Sequence, residues 1–359
     1  MSSLRVRRVP ELGADQVAVR LASPQLSARI SARVVAVSAA LAAVITVVFA
    51  LNISLGDFPI PLSEVFPSIV GQGSADGDFI VRVLRLPRSL TGVLVGAAFG
   101  MSGAIFQSLA RNPLASPDII GVEAGAATGA VLVILVIGSG GGVSVAGGAL
   151  LGGLVTTAGV YLLAYRRGVT GYRLILVGIG VTAVLGSVTS YLLTRANVYD
   201  AQRAAVWLTG SLNGRGWEHV GPVGAALAVL VPVTLLLARQ LRALQLGDDT
   251  ARGLGVRIEA ARGGLIVAGV GLAAVATASA GPVAFVALVA PQIARRLAGA
   301  ATVALMPAAL TGAAIVICAD LVARVVSPVE LPVGILTAII GAPYLLWLLA
   351  RANRVGTGG

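Results

Sequence analysis

Residues 82–126 read RVLRLPRSLTGVLVGAAFGMSGAIFQSLARNPLASPDIIGVEAGA, and the pattern in this stretch decides how the rest of the chain is read. Its centre, Ser89 to Ala110, is an apolar run long enough to cross the ~30 Å hydrocarbon core of a bilayer as a helix. Gly92, Gly96 and Gly100 recur there at every fourth residue. That spacing strips side chains from one helix stripe and lets a neighbouring backbone approach closely. Three arginines, Arg82, Arg85 and Arg88, precede the run. After it comes Arg111-Asn112-Pro113-Leu114-Ala115, where the proline stops the helix and the Asn112 amide is freed for side-chain work. The stretch reads as one membrane crossing with a polar motif at each end.

Composition extends this reading to the whole chain. Of 359 residues, 57% are hydrophobic and only 11% are charged, with mean hydropathy +0.94. A soluble domain carries roughly a quarter charged residues, so this is a polytopic membrane protein. All 26 basic residues are arginine, which excludes a Walker A lysine, a Schiff-base lysine and a Ser-Lys dyad. The single cysteine, Cys318, excludes an intrachain disulfide and a thiolate metal cluster. The single histidine, His219, excludes an HExxH zinc site. A net charge of +11 raises the question of nucleic acid, but the arginines lie at the ends of apolar segments, where membrane topology accounts for them.

Apolar runs of crossing length lie near 34–51, 89–110, 119–138, 143–165, 174–194, 220–238, 263–280, 283–298, 301–323 and 332–350, predicting ten transmembrane helices. The tenth depends on a break. Residues 263–298 would form one helix of ~54 Å, nearly twice the core thickness, and Gly281-Pro282 divides them into a hairpin of two crossings. An even number puts both termini on one side. With the termini in the cytoplasm, 19 arginines fall inside and 7 outside, as the positive-inside rule requires. The exceptions are Arg82, Arg85, Arg88, Arg195, Arg203, Arg215 and Arg324.

The domain plan is then a cytoplasmic, disordered N-terminal tail over 1–33 with no signal-peptide cleavage site, a membrane domain over 34–351, and a cytoplasmic tail over 352–359. Two connectors are more than linkers. Residues 197–220 hold an amphipathic stretch too short to span, with Trp207 and Trp217 suited to an interfacial or lid helix. Residues 239–262 form the longest polar segment between crossings, and Gly247-Asp248-Asp249 breaks and caps short helices there, predicting a helix-turn-helix. Asp118, Glu123, Asp320 and Glu330 fall at span ends, where solvation or helix capping explains them.

These motifs carry a resemblance. Arg85-Leu-Pro-Arg88, Gly103 to Gln107, Arg111-Asn-Pro-Leu-Ala-Ser-Pro117, Gly121 with Gly125-Ala126, Trp207-Leu-Thr-Gly-Ser211, Leu246-Gly247 with Ala251 to Val256, Gly281-Pro-Val-Ala-Phe285, Ala290-Pro-Gln-Ile-Ala-Arg295, Glu330 to Thr337 and Gly341-Ala-Pro343 occur in the order found in the FecCD/BtuC family. The chain therefore resembles the permease subunits of importers for iron-siderophores, haem and cobalamin. It departs from the family's frequent Pro-His at Pro291-Gln292 and from its frequent glycine at Ala287.

The resemblance implies a BtuC-like, type II ABC importer permease with ten transmembrane helices in the cytoplasmic membrane. It implies a second permease subunit, identical or paralogous, two separate ATPase subunits, and an extracytoplasmic substrate-binding protein. No cofactor is expected on this chain, with ATP and Mg held by the ATPase. Arg85, Arg88 and Arg324 match positions that meet acidic residues of the binding protein, a task suited to the planar arginine fork. The competing reading is arginines snorkelling to headgroups. Asn112 and Leu114 match the cytoplasmic gate. Leu246, Gly247, Asp248, Asp249, Ala251, Leu254 and Gly255, within the coupling helices at 239–257, match the ATPase contact. The expected cargo is a ferric siderophore, with cobalamin or haem the alternative. The other class is an ion-coupled secondary transporter, against which the sequence shows no carboxylate well inside a span and no inverted repeat. An intramembrane enzyme lacks a nucleophile-base or metal constellation.

Overall fold

The computed structural model describes residues 5–8, 16–20, 27–56, 58–138, 144–165, 171–299, 304–326 and 330–356. Its helices run α1 (Ala32–Ser54), α2 (Leu62–Val70), α3 (Ala75–Phe79), α4 (Leu86–Ala110), α5 (Val122–Leu132), α6 (Val145–Ala164), α7 (Gly171–Arg195), α8 (Val198–Leu208), α9 (Trp217–Gln245), α10 (Asp248–Gly253), α11 (Ile258–Ala280), α12 (Val286–Ala298), α13 (Leu305–Val326) and α14 (Val333–Gly356). Several starts carry side-chain caps that satisfy otherwise orphaned N–H groups. Ser74 accepts from Gly77 N, Ser144 from Gly147 N and Asn197 from Asp200 N.

Among the described residues, seven helices are long and apolar enough to cross a membrane. The other three expected crossings fall on shorter apolar helices, Val122–Ile137 and Val333–Leu348, and on the 13-residue α12. A helix thus stands at each expected place, while length and composition qualify seven rather than ten. The second crossing also begins earlier than the sequence suggests. Helix is continuous from Ala75 to Ala110, passing through a wide π turn over Ile80–Arg85. Pro87 has no N–H to donate to the preceding turn, a local cause for the widening.

α4 is the hub, with α13, α11, α12 and α9 packed around it. Its glycines explain how. A Cβ on Gly96 would fall on the Gly312 carbonyl of α13, one on Gly100 on the Ala308 carbonyl, and one on Gly103 on the Ala287 carbonyl of α12. The stripe is a packing face. α5 and α6 meet by the same device, Gly125 and Gly129 lying against Gly152 and Gly148.

The break at Gly281-Pro282 is present, but it is not a surface turn. Ala280 and Val283 are buried, Gly281 has φ +78°, and the Ala280 carbonyl accepts from Ser211 N at 2.8 Å. α12 spans only ~20 Å at 1.5 Å per residue. The irregular backbone at 281–285 is tolerated because it sits against the Trp207–Ser211 segment rather than lipid. That segment includes the end of α8, which does form, as expected, between two crossings.

Ahead of α1, Arg5–Arg8 (β1), Gln16–Arg20 (β2) and Ser27–Ser31 (β3) pair antiparallel in the order β1-β2-β3, with Val6 opposite Val19 and Val17 opposite Ile30. The sequence reading has this tail disordered. Its alternation of β-branched with other residues is a strand pattern. The rest of the tail lies outside the described residues. At the other terminus α14 continues to Gly356, into the segment read as a tail.

The α4–α13 contact predicts that Gly100→Ala lowers stability by about 1–3 kcal/mol, the usual cost of overpacking. Gly186→Ala, where nothing lies within 4 Å, should be neutral or stabilise by up to ~1 kcal/mol. Thermal unfolding of the two variants in detergent compares them directly.

Candidate functional site

The two polar ends of α4 are built differently. At the Arg85 end, three long side chains close the bundle. Arg85 donates to the carbonyls of Ile53 (2.6 Å), Ser54 (3.2 Å) and Phe58 (2.6 Å), and Arg324 donates to Leu55 O. Those carbonyls belong to the C-terminal end of α1 and its exit, where orphaned acceptors and the negative pole of the helix favour a cation. Arg88 reaches elsewhere. Its Nε and NH2 groups meet Asp320 Oδ1 at 3.1 and 2.9 Å, and its NH1 group meets both Glu330 oxygens at 3.0 and 3.1 Å.

Arg85 and Arg88 are each only 8% exposed. They cross-brace α1, α4, α13 and the start of the α14 segment. Asp320 is likewise not a solvated span-end acid but a buried partner of Arg88, 1% exposed. Around these groups lies an open cleft of about 460 Å³ lined by Arg85, Arg88, Arg215, Arg324 and Glu330 among others. Four arginines against one carboxylate give that cleft a positive lining. Arg215, which the sequence reading did not assign, donates to Ser211 O and sits 2.9 Å from the His219 ring.

At the other end, α4 terminates on Arg111 in the left-handed conformation, φ 50°. Asn112 N bonds back to Gln107 O. The Asn112 side chain is not idle: its Oδ1 accepts from Leu114 N at 2.9 Å, an Asx turn that makes 112–114 a compact unit. Asn112 is exposed and Leu114 half-buried. A buried amide chain supports the turn from beneath. Gln292 donates to Gln107 Oε1 (2.5 Å) and Pro113 O (3.2 Å), Gln107 donates to Leu288 O, and Arg295 donates to Gln292 Oε1. Sequence alone does not pair Gln107 with Gln292; the legible signal is two amides inside otherwise apolar helices. At the start of α5, Asp118 and Glu123 face one another, with Ser116 donating to Asp118.

The residues Leu246 to Gly255 form an elbow. α9 stops at Gln245, Gly247 turns the chain at φ +111°, α10 makes one and a half turns, and Gly255 at φ +78° leads to α11. Ala251 is buried beneath the elbow, whereas Leu246 and Leu254 are 65% and 62% exposed. Together with Leu237, Arg239, Arg242 and Arg257 they border a groove of about 700 Å³. Asp249 points outward and Asp248 inward. Partial burial works to raise the Asp248 pKa. The hydrogen bond and charge of Arg262, with the charges of Arg111 and Arg252, outweigh it and hold the carboxyl below the ordinary aspartate value. Among the described residues no group of three or more His, Cys, Asp or Glu could hold a metal.

Comparison with known proteins gives one consistent answer. The FecCD transport family matches over residues 43–351. The ferric enterobactin transport system permease protein FepG of Escherichia coli K12 is 44% identical over 300 residues, covering 83% of this chain and 91% of that protein. The iron(3+)-hydroxamate import system permease protein FhuG of Bacillus subtilis 168 is 39% identical over 316 residues, 86% and 94% of the two chains. A solved inward-facing structure of a metal-chelate type ABC transporter superposes with TM-score 0.77 at 29% identity, covering 88% of this chain and 99% of the other.

The buried ion pair predicts a lopsided mutational response. Arg88→Ala strands Asp320 and costs about 3–5 kcal/mol, whereas Arg88→Met combined with Asp320→Leu recovers most of that loss. Chemical denaturation of the single and double variants measures the difference.

Proposed function

The chain belongs to the FecCD transport family, and from that premise we propose that it is the membrane subunit of an ATP-binding-cassette importer that carries a ferric siderophore inward by alternating access. The observation that carries this reading is the plan of α4. One continuous helix joins the arginine-lined cleft to a gate-like turn, and that turn adjoins the Leu246–Gly255 elbow. The named relatives favour ferric chelates over cobalamin or haem. A secondary transporter needs a carboxylate free to titrate within the bilayer. Asp320 in α13 is tied to Arg88 instead, and Asp118 and Glu123 sit at the end of their helix, at the start of α5 beside Ser116, rather than midway along a crossing.

In this reading both termini face the cytoplasm, and the cleft end faces the substrate-binding protein. Its docking acids meet Arg324, Arg215 and the field of Arg85 and Arg88, whose own hydrogen bonds hold the frame rigid. Such charge pairs give steering and register more than affinity. Asn112 and Leu114 meet their counterparts from a second permease subunit, identical or paralogous, to close the pathway on the inner side. Two ATPase subunits, which hold ATP and Mg, seat on the elbow, where Leu246 and Leu254 are apolar anchors and Arg239, Arg242 and Arg257 favour an acidic rim on the partner. The chain itself binds no cofactor and hydrolyses nothing.

Reconstituted with its partners in proteoliposomes, the chain should take up iron-labelled siderophore only with ATP and regardless of a protonophore. Uptake that survives removal of ATP and the ATPase but collapses with the protonophore overturns the proposal. In pull-down titrations Leu254→Asp should weaken ATPase association at least ~10-fold, the order expected for loss of an interface anchor. Unchanged association removes the elbow from the interface.

A further inference from the structure

One contact joins the elbow to the turn at the end of α4, and the function described above leaves it without a task. The Arg111 guanidinium donates from a single nitrogen to Leu244 O at 2.8 Å and to Asp248 Oδ1 at 3.0 Å. Leu244 lies in the last turn of α9 and Asp248 opens α10, so Arg111 grips both sides of the bend at Gly247. It can do so because the chain at Arg111 adopts φ 50°, a conformation arginine seldom takes and one that turns it out of the helix. Asp248 is anchored in turn by Arg262 of α11 at 3.1 Å.

The geometry points to Arg111 as the strut through which movement of the elbow reaches the 112–114 turn. This rests on the reading of the elbow as the ATPase contact and of the turn as the inner gate. Three features of the contact support it. Asn112 is the next residue in the chain, and the Asx turn makes 112–114 move as a unit, so displacement of Arg111 cannot be absorbed by a slack linker. A cleft of about 550 Å³ bordered by Arg111, Asn112, Asp248 and Arg262 leaves the turn room to shift. Finally, Arg111 and Asp248 are 49% and 39% exposed, and a pair so open to water contributes little to stability. The link therefore constrains where two elements sit without holding the fold together. Gln292, bonded to Pro113 O from α12, supplies the fixed side against which such a lever turns.

The test uses the complete importer in proteoliposomes, with ATP hydrolysis and chelate uptake measured in the same vesicles. Arg111→Gln and Asp248→Asn should retain assembly and hydrolysis within about twofold while uptake per ATP falls at least ~5-fold, the lower end of typical coupling between sites. The double variant should be no worse than either single one, because both remove the same link. Arg111→Lys, which keeps the charge, should restore part of the ratio.

A ratio that stays at the unmodified value in Arg111→Gln overturns the strut. Parallel loss of hydrolysis and uptake, or additive effects in the double variant, overturn it as well. If Arg111→Gln fails to assemble, Asp248→Asn decides, since it leaves the bond to Leu244 in place. Absence of ATP-dependent uptake by the unmodified complex would instead count against the importer reading. Normal uptake in both unmodified and variant complexes counts against the strut alone.

Discussion

The close approach of α4 to its neighbours is the constraint on which the rest depends. Gly96 and Gly100 lie against Gly312 and Ala308 of α13, and Gly103 lies against Ala287 of α12, each at a separation that leaves no room for a Cβ. In an apolar solvent, burying more leucine against leucine gives helices little reason to associate. Backbone contact and interhelical polar bonds have to do that work. With its middle locked in this way, α4 cannot tilt or slide independently of α13, and whatever is attached to its two ends is held at a set distance. The Ala287 carbonyl also brings the start of α12 to the α4 backbone, which is why the 281–285 break lies inside the protein.

Polar groups within the bundle supply the bonds that glycine contacts cannot. Arg88 neutralises Asp320 and reaches Glu330, so α4, α13 and the approach to α14 meet at one guanidinium. Gln107 and Gln292 perform the matching task at the far end with uncharged amides, which need no counter-ion and cost less to desolvate. Arginine is used at the Arg85 end for a further reason. Arg85 caps the carbonyl-rich exit of α1 while presenting a charged surface to the cleft, so one side chain both braces the fold and shapes its electrostatics. The same double use explains why these arginines resist the positive-inside trend.

The elbow is the converse case. Its leucines are exposed, its glycines permit two sharp turns, and its ion pairs are open to water. It is a shaped protrusion rather than a packed part of the bundle. Its attachment to the membrane body runs through Ala251, which is buried, and through Asp248.

Membership of a membrane-transport family was legible in the residues themselves, because the bilayer imposes its requirements locally. A crossing needs an apolar run of set length, a proline ends it, and a four-residue glycine spacing exposes one backbone stripe whatever it packs against. The elbow at Leu246–Gly255 and the Gly281-Pro282 break were readable for the same reason. The strands before α1, the continuous helix through Arg82 and Arg85, and the depth of the 281–285 turn were not, since they depend on competition between local patterns and on neighbours distant in sequence. Above all, the sequence could say that Arg85, Arg88, Arg111 and Asp248 stand at helix ends, but not what they touch. Only tertiary structure decided that Arg88 binds acids 232 and 242 residues away and that Arg111 reaches across 137 residues to Asp248, because a guanidinium's partner is chosen by which helices pack together.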